Sequence, residues 1–291
     1  MWGKNKLRYI DRKSWNGHTH SEFCPHGSGE KTELFIERAI QCGFRTYSIT
    51  EHFPLPDVFY SHPVGSRHAI YTAAMFYDEL PKYFEMMNYL KEKYKDQIQI
   101  LVGFEFDYIE KYRDWYAEQF RKFHSQIDDA ILSIHFLPTQ NGLRAVDDSI
   151  IDFKSGVLEH CGSPLGVAKT YLKTVNDALD WRTRYKPFRY GHIMLYRKWR
   201  NLFPNNEPWE DNQTRNTMNR ILTKIANQNL FLDCNMAGLY RKTETESSPN
   251  EKWLTAAQKI GIPLVYGSDA HKVRDVSQGF NTYLENRYYK S

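Results

Sequence analysis

The chain has 291 residues, 41% hydrophobic and 25% charged, an ordinary globular composition long enough to bury a large core. Its net charge of +4 comes from scattered lysines and arginines, so no basic tract points to nucleic acid. No stretch approaches the ~18 apolar residues needed to span a bilayer, which excludes a membrane-spanning helix.

The opening MWGKNKLRYIDRK has no apolar segment behind its basic residues, so no secretory leader is expected. A first strand, too polar to identify by pattern alone, should end near Trp15–Gly17. The apolar-periodic segment Glu33–Cys42 follows and stops at Gly43, where a left-handed cap is wanted. Next come a strand at Thr46–Thr50, a loop at Phe53–Ile70 and a helical stretch at Phe76–Tyr94. The strand Ile98–Phe104 precedes helical Trp115–Phe123, and the strand Ala130–Ile134 leads into a loop at Phe136–Val157. Helical Val167–Leu179, the strand Phe188–Gly191, a loop at Tyr196–Pro208 and helical Thr214–Gln228 continue the pattern. The strand Leu230–Cys234, a loop at Met236–Ser248 and the strand Pro263–Gly267 close it. Ser248–Pro249–Asn250–Glu251 reads as a capping box with Ser248 at the N-cap, and Gly261 as a second left-handed cap.

Alternating strands and helices imply a parallel α/β architecture, either a closed barrel or an open doubly wound sheet. Connections into strands are short, as at Gln41–Arg45 and Lys259–Ile262, whereas those leaving strands are long. That asymmetry favours a barrel with an elaborated catalytic rim. Without a Pro/Gly/Ser-rich linker or a repeat, residues 1–291 read as a single domain with its core at about 16–280. Cys24, Cys42, Cys161 and Cys234 form no CxxC pair and read as reduced thiols of a cytoplasmic enzyme.

Most of the 11 histidines lie just past an expected strand end. His18 and His20 follow the first strand, with His26 a few residues on. Glu51–His52 ends the second, Glu105 and Asp107 the third, and His135 the fourth. His192 ends the fifth, and Asp269 with His271 the last. Parallel strands in a barrel bring those ends together. Imidazole nitrogens and carboxylate oxygens bind Zn²⁺, Mn²⁺ or Fe²⁺, and a carboxylate can bridge two ions. Such ions polarise a phosphoryl oxygen and deprotonate a shared water. One strand-end histidine is more often a surface or hydrogen-bonded core residue, but ligand-type residues at nearly every strand end leave no passive explanation. His62, His68, His124 and His160 read as surface histidines, the first two on a loop placed to cover the site. Glu51 and Asp107 rank below the ligands, and Cys24 reads as a spectator thiol. No GxSxG, GxxxxGKS or GxGxxG motif is present.

Asn16–Gly17–His18–Thr19–His20 with Cys24–Pro25–His26–Gly27 resembles the first motif of the polymerase and histidinol phosphatase (PHP) family, specifically its trinuclear-metal L-histidinol-phosphate phosphatases. So do Ile49–Thr50–Glu51–His52, Gly103–Phe104–Glu105, Ser133–Ile134–His135, Gly191–His192–Ile193 with Arg197–Lys198, and Gly267–Ser268–Asp269–Ala270–His271, in order, over residues 16 to 280 or so. The resemblance implies a distorted (β/α)7 TIM-like barrel holding three divalent ions, zinc foremost with manganese or iron(II) as alternatives. One ion would take His18, His20, Glu105 and Asp269, the second Glu105, His135 and His192, and the third His26, His52 and His271. The implied reaction is hydrolysis of L-histidinol phosphate in histidine biosynthesis by a metal-bridging hydroxide, with Asp269 as its proton acceptor and Arg197 on the phosphate. A phosphoesterase acting on nucleotides or other small monoesters is the alternative, and a non-catalytic metal-binding or nucleic-acid-associated module the reading from another class. A small-molecule substrate, with neither nucleic acid nor membrane, is the expected partner; the sequence is silent on oligomeric state. The chain departs from the family at Asn16, where aspartate is common, and at Met194, where an acid is common. Asn235 and Arg241 are weaker candidates for lining the pocket.

Overall fold

The computed structural model describes residues 7–290. Strands β1 (Trp15–Asn16), β2 (Thr46–His52), β3 (Gln99–Asp107), β4 (Asp129–Ser133), β7 (Arg189–Tyr190), β8 (Phe231–Asn235) and β9 (Leu264–Gly267) form one parallel sheet in that order. Its two edges meet: Gly17 N donates to Tyr266 O (2.8 Å), Asp269 N to His18 O (2.8 Å) and His20 N to Ala270 O (3.1 Å). Seven strands thus curl into a nearly closed barrel with helices outside, the α/β barrel that the alternation predicts.

The helices form where the apolar spacing predicts them. In Thr32–Gln41, Phe35, Ile36 and Ala39 face the sheet. Gly43, at φ 84°, ends that segment in the left-handed conformation that glycine adopts without a steric penalty. Leu80–Lys93 and Arg113–Phe123 pack an aromatic layer on β3, where Phe53 lies 4.4 Å from Phe106 and edge-on to Phe104 at 5.0 Å. Pro164–Asp180 starts on Ser163, which caps Gly166 N, and Asn212–Asn227 on a capping box between Asp211 and Thr214.

Two expectations fail locally. Ser248 is not an N-cap: its backbone exchanges two hydrogen bonds with Asn235, extending β8, and its hydroxyl accepts from Met194 N. With Ser248 so engaged, Asn250 caps the helix Glu251–Lys259. The segment expected as a loop after β4 contains an antiparallel hairpin, β5 (Phe136–Thr139) with β6 (Gly142–Ala145), followed by a short helix at Ile150–Phe153. The Phe53–Ile70 loop likewise holds two short helices, Asp57–Ser61 and Arg67–Tyr71.

The barrel floor is closed by an ion pair. Arg189 Nη2 lies 2.5 Å from Asp129 Oδ2, both side chains fully buried, and Ser48 Oγ donates to the same oxygen at 2.7 Å. Trp15 Nε1 in turn donates to Ser48 (2.8 Å). These polar groups plug one end while the strand C-termini converge on the other. Among the described residues, no helix is long and apolar enough to cross a membrane.

Candidate metal centre

The strand ends deliver the expected ligands to one mouth. Register pairs His52 with Glu105 on adjacent strands, so both side chains enter the barrel side by side. Glu105, almost fully buried, is the hub. Its Oε1 lies 2.8 Å from His192 Nε2, 3.7 Å from His135 Nε2, and accepts from Ser133 Oγ. Its Oε2 lies 3.2 Å from His52 Nδ1, 3.4 Å from His18 Nε2 and 3.8 Å from His20 Nε2. Asp269 Oδ1 lies 3.1 Å from His20 Nε2 and 3.8 Å from His18 Nε2. His26 and His271 face each other through their Nε2 atoms at 3.0 Å, nearer the solvent. All the ligands expected from sequence are therefore gathered here.

Five of these rings are held from behind, each by a different neighbour. His18 Nδ1 donates to Asp233 Oδ2 at 2.7 Å, His20 Nδ1 meets Glu51 Oε1 at 3.3 Å, and His135 Nδ1 meets Asp107 Oδ1 at 2.9 Å. His26 Nδ1 donates to Thr72 O (2.7 Å), and His271 Nδ1 to Asp269 O (3.0 Å). Such contacts fix the tautomer so that the opposite nitrogen faces the centre. Asp269 adopts φ 51°, a backbone region costly for a non-glycine residue, and its Oδ2 is held by Asn235 Nδ2 (3.3 Å) and Arg241 Nη2 (3.5 Å).

The donor set suits divalent cations. His18 Nε2, His52 Nε2, His192 Nδ1 and Glu105 Oε2 are buried with no hydrogen-bond partner, a state that costs about 1–3 kcal/mol per group unless a ligand answers it. Burial pulls His18 and His20 toward the neutral form, yet the surrounding carboxylates outweigh it. His18 is held well above its ordinary pKa by Glu105, Asp233 and Asp269, and His20 at about 9 by Asp269 and Glu51. His135 is raised against burial to about 10 by Asp107 and Glu105. Burial favours the neutral carboxyl of Glu105 and of Asp269, but the facing histidines hold both well below the usual range. Burial lowers His52 and His271, keeping them neutral and free to coordinate. The cluster attracts positive charge, and its atoms are nitrogens and oxygens of the kind that bind Zn²⁺, Mn²⁺ or Fe²⁺.

Donor atoms fall into overlapping groups: His18, His20 and Asp269; His18, Glu105 and His192; His52, Glu105 and His135; and His20, Cys24, His52 and His271. The last includes the thiol taken as a spectator. Above them opens a pocket of about 300 Å³ lined by the cations Lys198 and Arg241 and by Asp147, Asp148 and His68, with Lys198 Nζ 3.3 Å from Asp147 Oδ2.

Arg197 is a correction. Its guanidinium turns away to Glu246, pairing through Nε and through Nη2 at 3.3 Å, and it is absent from the pocket lining. The short 3-10 turn Leu195–Arg197 points Arg197 inward to that acid and leaves Lys198 at the pocket. Sequence reasoning missed Asp233 and Asp147 and ranked Glu51 and Asp107 too low. A lone acid inside the apolar run LFLDC was the available signal for Asp233, since a buried carboxylate needs a partner. Of the loop histidines, His68 reaches the pocket through Asp148 (2.6 Å). Asn16 has structural work: its amide donates to Ser268 Oγ and Val276 O, both at 2.8 Å, and an ionised aspartate could accept from the serine hydroxyl but could not donate to the Val276 carbonyl.

Comparison with known proteins agrees with this geometry. The profile of the PHP domain matches residues 16–237, and that of a PHP-associated segment residues 247–288. The histidinol-phosphatase of Bacillus subtilis is 34% identical over 272 residues, covering 93% of this chain and 98% of that one. The crystal structure of the hisK protein of Listeria monocytogenes superposes with a TM-score of 0.89 at 36% identity, covering 92% of this chain and 99% of that one. A histidinol phosphate phosphatase from Lactococcus lactis, solved with zinc, L-histidinol and phosphate, shares the fold at a TM-score of 0.66 and 19% identity, covering 94% of each chain.

Proposed function

Because this chain belongs to the PHP domain family, we propose that it is a metal-dependent phosphatase that hydrolyses L-histidinol phosphate to L-histidinol and phosphate. The observation that carries the reading is that one pocket, lined by the cations Lys198 and Arg241 and by the carboxylates Asp147 and Asp148, opens on the histidine–carboxylate cluster. L-Histidinol phosphate has a phosphate at one end and an ammonium beside an imidazole at the other. Arg241, beside Asp269, and Lys198 offer N–H donors to the phosphate. Asp148, which His68 meets at 2.6 Å, offers a carboxylate to the ammonium, while Asp147 pairs with Lys198 at 3.3 Å.

His18, His20, Glu105 and Asp269 would hold one cation. Glu105, His135 and His192 would hold a second, and His26, His52 and His271 a third, with zinc the favoured ion. Bound there, divalent cations neutralise phosphoryl oxygens and acidify water. Asp269, whose carboxylate lines the pocket, would accept the proton of the attacking water. Glu51, Asp107 and Asp233 fix the imidazoles so that none must reorient during turnover.

The test is a substrate panel on the metal-loaded enzyme. L-Histidinol phosphate should exceed adenosine monophosphate and glycerol phosphate in kcat/KM by at least about a hundredfold, since only it brings an ammonium for the pocket carboxylates along with its phosphate. Comparable values would favour a general phosphoesterase instead.

A further inference from the structure

Cys24 has no part in the scheme above, yet its surroundings are those of a ligand. It is buried in a tight turn in which Cys24 N donates to Ser21 O (3.1 Å) and Gly27 N to Cys24 O (3.0 Å). The backbone N–H groups of His26 and Gly27 also reach its sulfur, although burial and the nearby Glu51 hold the thiol well above its ordinary pKa, so that without a cation it is protonated. A Cβ on Gly27 would stand 3.2 Å from Cys24 Cβ and 3.6 Å from Sγ, so glycine lets the turn wrap the thiol closely. The sulfur and the donor atoms of His20, His52 and His271 all lie within 4.8 Å of one another. Independently, His52 Nε2 is buried there with no partner. His20 already spends its two nitrogens on Glu51 and Asp269, which leaves Cys24, His52 and His271 as the donors of the group.

We propose that Cys24 is a protein ligand of the cation held by His26, His52 and His271, bound as a thiolate whose proton passes to solvent as the cation enters. This rests on the metal-centre reading above. It makes the centre chemically uneven: two positions offer only nitrogen and oxygen, and the third adds sulfur. The sulfur position should favour zinc or cobalt over manganese more strongly than the other two.

Cobalt(II) reports sulfur ligation directly, because a thiolate–cobalt bond gives an intense ultraviolet charge-transfer band that nitrogen and oxygen ligands do not. The full-length protein, stripped with a chelator and titrated with cobalt(II), should develop that band. Cys24→Ser should remove it and weaken retention of one equivalent of cobalt by about tenfold or more, while Cys42→Ser should keep it. Cobalt uptake by the wild type without the band, or a band that survives Cys24→Ser, overturns the proposal and leaves the phosphatase reading intact. No cobalt uptake at all overturns both. Should Cys24→Ser fail to fold, X-ray absorption of the zinc-loaded wild type decides alone: a sulfur neighbour at about 2.3 Å supports the proposal, and its absence refutes it.

Discussion

Replacing Asp233 by asparagine should weaken cation binding about tenfold while leaving the barrel folded. Asp233 Oδ2 accepts from His18 Nδ1 at 2.7 Å and from Asn235 Nδ2 at 3.3 Å, and neither Asp233 nor His18 is solvent-exposed. A hydrogen bond to a charged group contributes about 1.5–3 kcal/mol and a neutral one about 0.5–1.5 kcal/mol, so the substitution removes roughly 1–1.5 kcal/mol from the grip on His18. At about 1.4 kcal/mol per factor of ten, that is close to a tenfold loss of affinity. The new amide nitrogen must also occupy the Oδ1 position, which has no partner, so the loss should exceed this minimum rather than fall below it. The assay is competition for zinc between stripped protein and a fluorescent chelator, with the melting temperature of the stripped protein measured in parallel. The dissociation constant should rise between about tenfold and a hundredfold with little change in melting. An unchanged constant, or a stripped protein that no longer folds, would refute the role given to Asp233.

Other perturbations separate the site from its scaffold. Asp129→Ala strands the fully buried Arg189 without its counter-ion and should destabilise the protein by about 3–5 kcal/mol in urea unfolding; a loss below about 1 kcal/mol would refute the clamp. Arg241→Ala should raise KM for L-histidinol phosphate by about tenfold or more, whereas Arg197→Ala should leave KM near wild type and lower stability by about 1–3 kcal/mol through its lost bonds to Glu246. Equal effects on KM would restore Arg197 to the phosphate. In Gly267→Ala the new Cβ would lie 2.5 Å from Asp233 Oδ1 and 2.8 Å from His18 Cβ, displacing both. The purified variant should carry less metal by elemental analysis, and full metal content would contradict the packing.

The ligands were legible because each is a polar residue set where an apolar run ends, and a parallel barrel gives those ends one destination. His52, Glu105, His135 and Asp269 all obey that rule. The residues behind them were harder to read. Glu51 lies next to a ligand and Asp107 two residues beyond one, and which imidazole each holds depends on the register between strands, which spacing does not reveal. Asp233 looked like part of a core strand. Arg197, Lys198 and Arg200 are interchangeable on a charge count; only the tight turn at Leu195–Arg197 and the acid at Glu246 decide which reaches the pocket. Likewise Ser248 carries a cap signal, but its pairing with Asn235 is a contact between distant segments and overrides it. Local patterns named the elements, and long-range pairing assigned their duties.

The central claim is that the cluster around Glu105 holds divalent cations which make this chain a histidinol-phosphate phosphatase. The most direct measurement is phosphate release from L-histidinol phosphate by one preparation, as purified, after chelation and after zinc is restored, with metal content determined at each stage. Activity should follow bound metal, falling to background on chelation and returning with zinc. A stripped protein that still releases phosphate at the original rate, or a metal-loaded one that leaves L-histidinol phosphate intact, would contradict the account.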